Sequence, residues 1–290
     1  MHSPEATAIP DPVLDRLTPA LAAAPGVLAI ALGGSRARGT ATPSSDFDVG
    51  LYYREGAEPR AASVREAVRD LIDDPHSAVA TEVGDWGPWI DGGAWLTVAG
   101  AKVDLLYRCA DAVRDVIRAC RAGYVSMNYQ PGHPHGFSSA IWMGEAAICR
   151  PLHDPEGLLA ELKAMTEPFP ALLREALIRR FQWEVLFSVE NAETAVGRGA
   201  QTHIAGCAYR ALSCVVQVLF ALNRRYFVNE KGALEEAADF PTTLAGLTER
   251  ASFVWRAIGG RTFGKALDDV EGHRAGVARR DCERTIPLST

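Results

Sequence analysis

The sequence has no long hydrophobic run and no excess of positive charge. The longest apolar stretch lies near residues 211–222. It is about a third short of the ~18 residues that a membrane span needs, so it predicts a buried helix and no membrane partner. The 36 acidic residues outnumber the 30 basic ones and give a net charge of −6. A general nucleic-acid binder normally carries a basic excess, so nucleic acid is not expected as a partner.

Paired cysteines are missing as well. The six cysteines are scattered without a Cys-x-x-Cys pair, which favours reduced thiols in a cytoplasmic protein over a disulfide framework. His133 and His135 lie two residues apart in GHPHG, but no cysteine or third histidine is close in the sequence, so a polar loop is favoured over a zinc site. Residues 1–7 are polar and acidic, so a signal peptide is not expected there.

What the chain does contain is a change of pattern near its middle. About the first 120 residues alternate short apolar strands with helices and predict a mixed sheet of about five strands. Residues 124–157 are rich in Gly, Pro and His and are expected to be a connector. Long helical patterns follow from Pro170 and predict a bundle. The expected fold class is therefore α+β, with a small mixed-sheet domain over residues 1–155 and an α-helical bundle domain over residues 156–290.

The individual elements follow from hydrophobic periodicity and from capping signals. The opening helix is expected to be capped by Asp11, with Pro12 at its first position. Helices are predicted over residues 11–24, 61–72, 110–122, 172–196, 205–224, 241–259 and 263–278. Strands are predicted over residues 27–32, 48–53, 78–83, 94–99 and 102–107.

Chemically active residue types are concentrated in one polar stretch, LGGSRARGTATPSSDFDVGLYY, at residues 32–53. Asp46 and Asp48 are two residues apart at the start of a strand, so their side chains point to one face, roughly 7 Å apart along the chain. Such a carboxylate pair repels itself unless a cation lies between. Mg²⁺ suits it as a hard cation with oxygen ligands, and two ions about 4 Å apart could share it.

Gly33-Gly34-Ser35 lies at a strand-to-helix junction just upstream of this pair. Glycines allow the backbone to approach a ligand closely, and the start of a helix directs free N–H groups at an anion. The Ser35 hydroxyl and the charges of Arg36 and Arg38 would assist a phosphate there. Each pattern alone is weak, because Gly-Gly-Ser is usually a tight turn and Asp-x-Asp is often a capped turn. Their order along the chain gives them weight together.

A third carboxylate, Asp104, lies in the otherwise apolar strand KVDLLYR. Burying an unpaired carboxylate there is costly, and metal binding or proton transfer would explain it. The alternative is an edge residue or the partner of an arginine, but Arg108 is expected to point to the opposite face. Glu145, before the strand-like run AAIC, is an alternative catalytic base, although a surface acid is the favoured interpretation.

In this order, the glycine-serine turn, the Asp46-Phe47-Asp48 pair and Asp104 resemble the nucleotidyltransferase superfamily that includes DNA polymerase beta. The resemblance covers roughly residues 27–108. With its helical second half, the chain is also similar to the bacterial branch of aminoglycoside (kanamycin-type) nucleotidyltransferases. The resemblance implies Mg²⁺-dependent transfer of a nucleoside monophosphate, AMP from ATP or its equivalent from another nucleoside triphosphate, to a hydroxyl of a small molecule. An aminoglycoside-like antibiotic is one such acceptor, and pyrophosphate leaves.

The same resemblance implies roles for four of these residues. The residues implied to hold two Mg²⁺ ions and to form the catalytic set are Asp46, Asp48 and Asp104. Asp104 would also be the base on the acceptor hydroxyl. Ser35 is implied to hold the triphosphate, and the further residues that the sequence itself predicts to bind the nucleotide are Gly33, Gly34, Arg38, Tyr226 and Lys231. For the last two, in NRRYFVNEKG, the alternatives are a core tyrosine and a solvated lysine.

Other interpretations remain open at the level of sequence. The acceptor could be a protein, as in the small antitoxin-like relatives, or the chain could be a nucleotide sensor that binds without turnover. Three tryptophans in WGPWIDGGAW, residues 86–95, could stack on a base or on an acceptor ring, and they could equally pack in the core. The oligomeric state is left open: related enzymes often build their site from two subunits, so a homodimer is one of the open alternatives.

Overall fold

The structure is a computed structural model that describes residues 11–76, 79–265 and 268–272. These residues form two compact units. The first unit comprises the described residues up to Ile117 together with Glu145–Thr166. The second comprises Arg118–Gly144 and the described residues from Glu167 onward. The domain boundary expected after residue 155 stays a prediction of the sequence.

The elements are numbered here in chain order. The helices are α1 (Pro12–Ala22), α2 (Gly34–Arg38), α3 (Ala61–Val68), α4 (Ala110–Arg121), α5 (Ala140–Ile148), α6 (Leu158–Met165), α7 (Ala171–Val196), α8 (Gln201–Leu222), α9 (Ala233–Ala238) and α10 (Leu247–Gly259). The strands are β1 (Ala29–Leu32), β2 (Phe47–Tyr53), β3 (Val79–Ala80), β4 (Gly93–Val98), β5 (Ala101–Cys109), β6 (Met127–Asn128), β7 (Phe137–Ser138) and β8 (Arg150–His153).

Elements with strong local signals lie where the sequence predicts them. α1 begins at Pro12, and the Asp11 side chain accepts a hydrogen bond of 3.0 Å from the backbone N–H of Val13, as expected of an N-cap. α4 and α7 agree with their predictions to within one residue at each end. The predicted mixed sheet followed by a helical region is confirmed, and the fold class is α+β.

Other boundaries were predicted less well. α3 ends four residues before the predicted end, and α10 begins six residues after the predicted start at residue 241. The strand predicted over residues 78–83 is reduced to the two residues of β3, and Ala78 itself lies outside the described residues. Of the helix predicted over residues 263–278, positions 263–265 and 268–272 are helical, and 266–267 and 273–278 lie outside the described part of the chain.

The main sheet has six strands, in the order β3-β4-β5-β2-β1-β8, instead of the five predicted. β2 and β5 are parallel and the other neighbouring pairs are antiparallel. The sixth strand, β8, comes from residues 124–157, where the sequence predicted only a connector. Its sequence RPLH shows no apolar alternation and contains a proline. Only an edge strand tolerates such a sequence, and β8 lies at the edge.

The first unit builds its core on one face of this sheet. In β2 the side chains of Phe47, Val49 and Leu51 are buried in the same cluster as apolar side chains of α1 and α3. Because successive strand residues point to opposite faces, Asp48 and Gly50 lie on the other face. The alternation therefore separates a dry core face from a polar face.

The second unit is dominated by the two long helices α7 and α8, which pack together along their lengths. α8 is long and apolar enough to span a membrane, but 67% of its most apolar window is buried within the protein. Such burial is typical of a core helix, as the sequence predicted. The five cysteines among the described residues carry free thiols, as expected, and Cys282 lies outside them.

Candidate functional site

The register of the parallel strands places two of the predicted acids opposite each other. Asp48 of β2 pairs with Asp104 of β5, on neighbouring strands about 4.8 Å apart. Both residues are half-buried, whereas their neighbours Val49 and Val103 are fully buried on the core face. Opposed residues in a sheet share a face, so both carboxylates project from the polar side.

Gly34 lies directly against the Asp48 carboxylate. A Cβ atom added to Gly34 would be 1.7 Å from Oδ2 of Asp48, and the Gly34 φ of +59° is one that other residues rarely adopt. Gly33 is less demanding, since a Cβ there would meet only ordinary contacts, and its backbone N–H donates to the Asp48 carbonyl oxygen at 2.8 Å. The glycine pair therefore holds the first turn of α2, including Ser35, beside Asp48.

Arg36 and Arg38 flank this turn in different ways. The Arg36 guanidinium lies 3.6 Å from the ring centroid of Phe47 and donates to the carbonyl oxygens of Ser45 (2.7 Å) and Asp46 (3.2 Å). It therefore fastens the polar loop onto β2, a role that the sequence did not predict. Arg38 is half-buried in the last turn of α2.

Asp46 is placed differently from the other two acids. It lies one residue before β2 and is exposed. Among the described residues no group of three or more His, Cys, Asp or Glu side chains is close enough together to hold a metal ion. The structure thus brings Asp48 and Asp104 into register, whereas Asp46 lies just before the first residue of β2. A three-carboxylate metal site stays a prediction.

Arg108 and Glu145 form a partly buried ion pair further along the same face. Arg108 lies on the same face as Asp104, because residues four apart on a strand share a face, so the expectation that it points to the opposite face is wrong. Arg108 is 3% exposed, and its Nε and Nη2 donate to the two carboxylate oxygens of Glu145 at 2.9 and 3.0 Å. Glu145 lies in helix α5, not on the predicted strand-like run. Its carboxylate is engaged with Arg108, which weakens the case for it as a catalytic base.

Trp95 extends the row of site-facing residues beyond Asp104. The antiparallel register of β4 and β5 pairs Trp95 with Asp104, so the indole shares the polar face. Its side chain is 51% exposed and stacks on Trp86, with ring centroids 4.5 Å apart. The sequence placed three tryptophans near the site, and the structure brings two of them together at its border.

Tyr226 and Lys231 belong to the second unit. Tyr226 packs against Phe169 with ring centroids 4.7 Å apart, and burial raises the pKa of its hydroxyl. Lys231 is exposed, and its backbone N–H donates to Oδ1 of Asn229 at 3.0 Å. Their proposed contacts with a nucleotide stay predictions.

The comparisons with known proteins point to the same part of the chain. Residues 14–82 match the family model described as nucleotidyltransferase domain. The match includes Gly34 and Asp48, ends before Asp104 and spans less than half of the chain. It supports a transferase of nucleotidyl groups.

The wider comparisons add little to this match. No curated protein matches the chain. Among solved structures, the chain resembles a nucleotidyltransferase-like protein from Exiguobacterium sibiricum 255-15. The TM-score is 0.40 and the sequence identity 13%, over 93% of this chain and 78% of that chain. A likeness of this size carries no argument about activity.

Proposed function

We propose that the protein transfers a nucleoside monophosphate, AMP from ATP or its equivalent from another nucleoside triphosphate, to a hydroxyl of a small molecule. One observation carries the proposal: the strand register that sets Asp48 opposite Asp104, directly beside Gly34. The match of residues 14–82 to the nucleotidyltransferase domain supports it independently. The acceptor proposed first is a hydroxylated small molecule of the aminoglycoside type.

The nucleotide would be held by the turn that opens α2. Backbone N–H groups of Gly34 and Ser35 and the Ser35 hydroxyl are the donors proposed for the triphosphate oxygens. The close contact between Gly34 and Asp48 would keep these donors within a few ångströms of the carboxylates. Arg36 would act indirectly, by fixing the loop that leads to Asp46.

The donor set suits magnesium. Asp48 and Asp104 present carboxylate oxygens from adjacent strands, where like charges destabilise each other. Carboxylate oxygens are the ligands that Mg²⁺ prefers, and Asp46 offers a further one from the start of β2. Bound there, Mg²⁺ would neutralise charge on the triphosphate.

Asp104 is proposed as the catalytic base because it lies on the side of Asp48 away from Gly34 and Ser35, which form the proposed phosphate-binding turn. Its carboxylate would accept the proton of the acceptor hydroxyl. The acceptor oxygen then forms a bond to the α-phosphorus, the bond from that phosphorus to the bridging oxygen breaks, and pyrophosphate leaves. In such transfers most of the rate comes from positioning and from stabilising the developing charge.

The test is release of pyrophosphate by Asp48→Asn and Asp104→Asn proteins. Each substitution removes one negative charge and almost no volume, and we expect turnover to fall by at least about 100-fold. Asp70→Asn is the matched control, because Asp70 is an exposed acid of the same unit that follows helix α3 and belongs to neither β2 nor β5. Undiminished turnover in the two site variants would refute the assignment.

The acceptor is identified by a screen of hydroxylated metabolites and aminoglycosides with each of the four ribonucleoside triphosphates. The triphosphates are labelled in the nucleoside monophosphate part, and transfer of this label to a small solute supports the proposal. Label on a protein band in a cell extract would favour transfer to a protein, and triphosphate binding without any product would favour a sensor. Both of the latter outcomes overturn the small-molecule proposal.

A further inference from the structure

The polar face of the first unit carries an ordered row of four positions. Gly34 touches the Asp48 carboxylate, Asp48 is in register with Asp104, and Asp104 is in register with Trp95. Adjacent positions on neighbouring strands are about 5 Å apart. The row therefore begins at the phosphate-binding turn and ends at an exposed indole.

Trp95 forms a fixed platform with Trp86, and the two residues together are called the tryptophan platform. Their rings are stacked, with an interplanar angle of 21°, so one face of the Trp95 ring is covered by the Trp86 ring. Half of the Trp95 side chain nevertheless remains exposed. A single exposed aromatic residue needs no explanation, but a stacked pair at the border of a carboxylate site is a ready surface for a ring.

The segment that carries Trp86 is tied to the rest of the unit. The Glu82 carboxylate accepts from the backbone N–H of Ala61 at 3.0 Å, and Asp91 accepts from the Tyr53 hydroxyl at 3.1 Å. The Asp85 carboxylate accepts from the backbone N–H of Glu82 at 2.9 Å. These anchors fix the platform before any ligand arrives, which lowers the entropic cost of stacking.

Position along the row separates the two substrates. The triphosphate belongs at the Gly34 end, and the platform lies beyond Asp104 at the opposite end. A ring resting on Trp95 would carry its hydroxyl about one strand spacing from the Asp104 carboxylate. To reach the platform, the nucleobase of the triphosphate would have to extend past both the Asp48 and the Asp104 carboxylates.

We propose that the tryptophan platform binds the acceptor and selects molecules whose reactive hydroxyl is carried on a ring. The inference rests on the proposed nucleotidyl transfer, since it takes Asp104 as the group nearest to the acceptor hydroxyl. A saccharide ring would stack through its apolar C–H face and an aromatic alcohol through its π-face. An open-chain polyol has the same hydroxyls but no face to stack.

The experiment measures binding by saturation-transfer NMR on the full chain. The probes are methyl glucoside and para-cresol as ring alcohols, sorbitol as the open-chain control and adenine as a nucleobase. We expect at least one of the two ring alcohols to bind. Comparing methyl glucoside with para-cresol then shows whether the acceptor is a saccharide or an aromatic alcohol. Binding should fall roughly 3- to 10-fold in Trp95→Ala and be largely retained in Trp95→Phe, which keeps a ring.

Trp255→Ala is the matched control, because Trp255 is a 40% exposed tryptophan of the second unit. It should bind the ring alcohols as the unsubstituted protein does. The proposal is overturned if neither ring alcohol binds, if sorbitol binds equally well, if Trp95→Ala binds unchanged, or if only adenine depends on Trp95. Because the measurement needs no nucleotide, failure of the platform is distinguishable from failure of nucleotidyl transfer.

Discussion

At the scale of single residues, Gly34 is the position where sequence and site are most tightly linked. Its positive φ and its contact with the Asp48 carboxylate leave no room for a side chain. Gly33, its neighbour in sequence, has an extended backbone and ordinary surroundings. Two glycines that look equivalent in the sequence therefore carry different constraints.

We expect Gly34→Ala to lower the free energy of unfolding by about 1–3 kcal/mol, because the new methyl group displaces Asp48 and the backbone is strained. Gly33→Ala should change it by less than about 1 kcal/mol. Urea unfolding of both variants measures the difference. Equal losses would show that Asp48 moves aside at no cost.

His135 makes a second prediction at this scale, in the second unit. It is 4% exposed, and burial, followed by the nearby Arg210, lowers the pKa of its imidazole to about 4. Its backbone N–H donates to Glu230, which also pairs with His133. The loop GHPHG is therefore not simply a solvated polar loop, as its composition suggested.

Since the folded pKa of His135 lies below the ordinary value of about 6.5, the unfolded chain binds the proton more readily. Stability is therefore full above about pH 6.5 and falls as the pH drops towards 4, by a total on the order of 3 kcal/mol. His135→Gln should flatten this dependence in unfolding measured between pH 7 and pH 4.5, whereas the exposed control His76→Gln should not. An unchanged slope in His135→Gln would contradict the assignment.

At the scale of elements, helix α5 is joined to strand β5 by one ion pair. Arg108 is almost fully buried, and the Glu145 side chain is 27% exposed. Removing the carboxylate would leave a buried guanidinium without its main counter-charge, which is costly. The pair therefore helps to hold the part of α5 that belongs to the first unit, from Glu145 onward, against strand β5.

We expect Glu145→Ala to cost about 2–3 kcal/mol of unfolding free energy, a value reduced from that of a fully buried pair because of its partial exposure. Glu156→Ala is the control. Glu156 pairs with Arg54 at 2.6 Å, but both side chains are more than half exposed, so its loss should cost at most about 1 kcal/mol. Similar losses in the two variants would show that burial does not set the strength of the pair.

Elements with a strong local period were predictable and the others were not. α1 and α7 follow from capping and helical periodicity, and β2 and β5 follow from apolar runs bounded by turns. α5 was misjudged because a short, uniformly apolar run has no period that separates helix from strand.

At the scale of the whole molecule, the acidic balance of the chain and the carboxylate pair of the first unit predict a response to divalent cations. A ligand that binds only the folded state raises its stability, by about 2.7 kcal/mol at a hundred times its dissociation constant. For a chain of this size, such a gain corresponds to a few degrees in the melting temperature.

We expect Mg²⁺ with ATP to raise the melting temperature of the unsubstituted protein by about 2–5 °C, and chelation to reverse the rise. Asp48→Asn should lose most of the rise, because it removes one of the carboxylates proposed to hold Mg²⁺. The measurement is differential scanning fluorimetry, with Asp70→Asn as the control. A full rise in Asp48→Asn would place the cation elsewhere.

The sequence by itself determined the α+β order of elements, the capped opening helix and the polar stretch with Gly34 and Asp48, because these depend on neighbours within a few residues. Only the tertiary structure decided that Asp104 stands opposite Asp48, that Trp95 stands next in the row and that Arg108 pairs with Glu145. Strand partners and register are set by long-range packing, in which a shift of one residue would turn every side chain to the other face. The hydrophobic periodicity within one strand therefore does not determine which strand it pairs with or in which register.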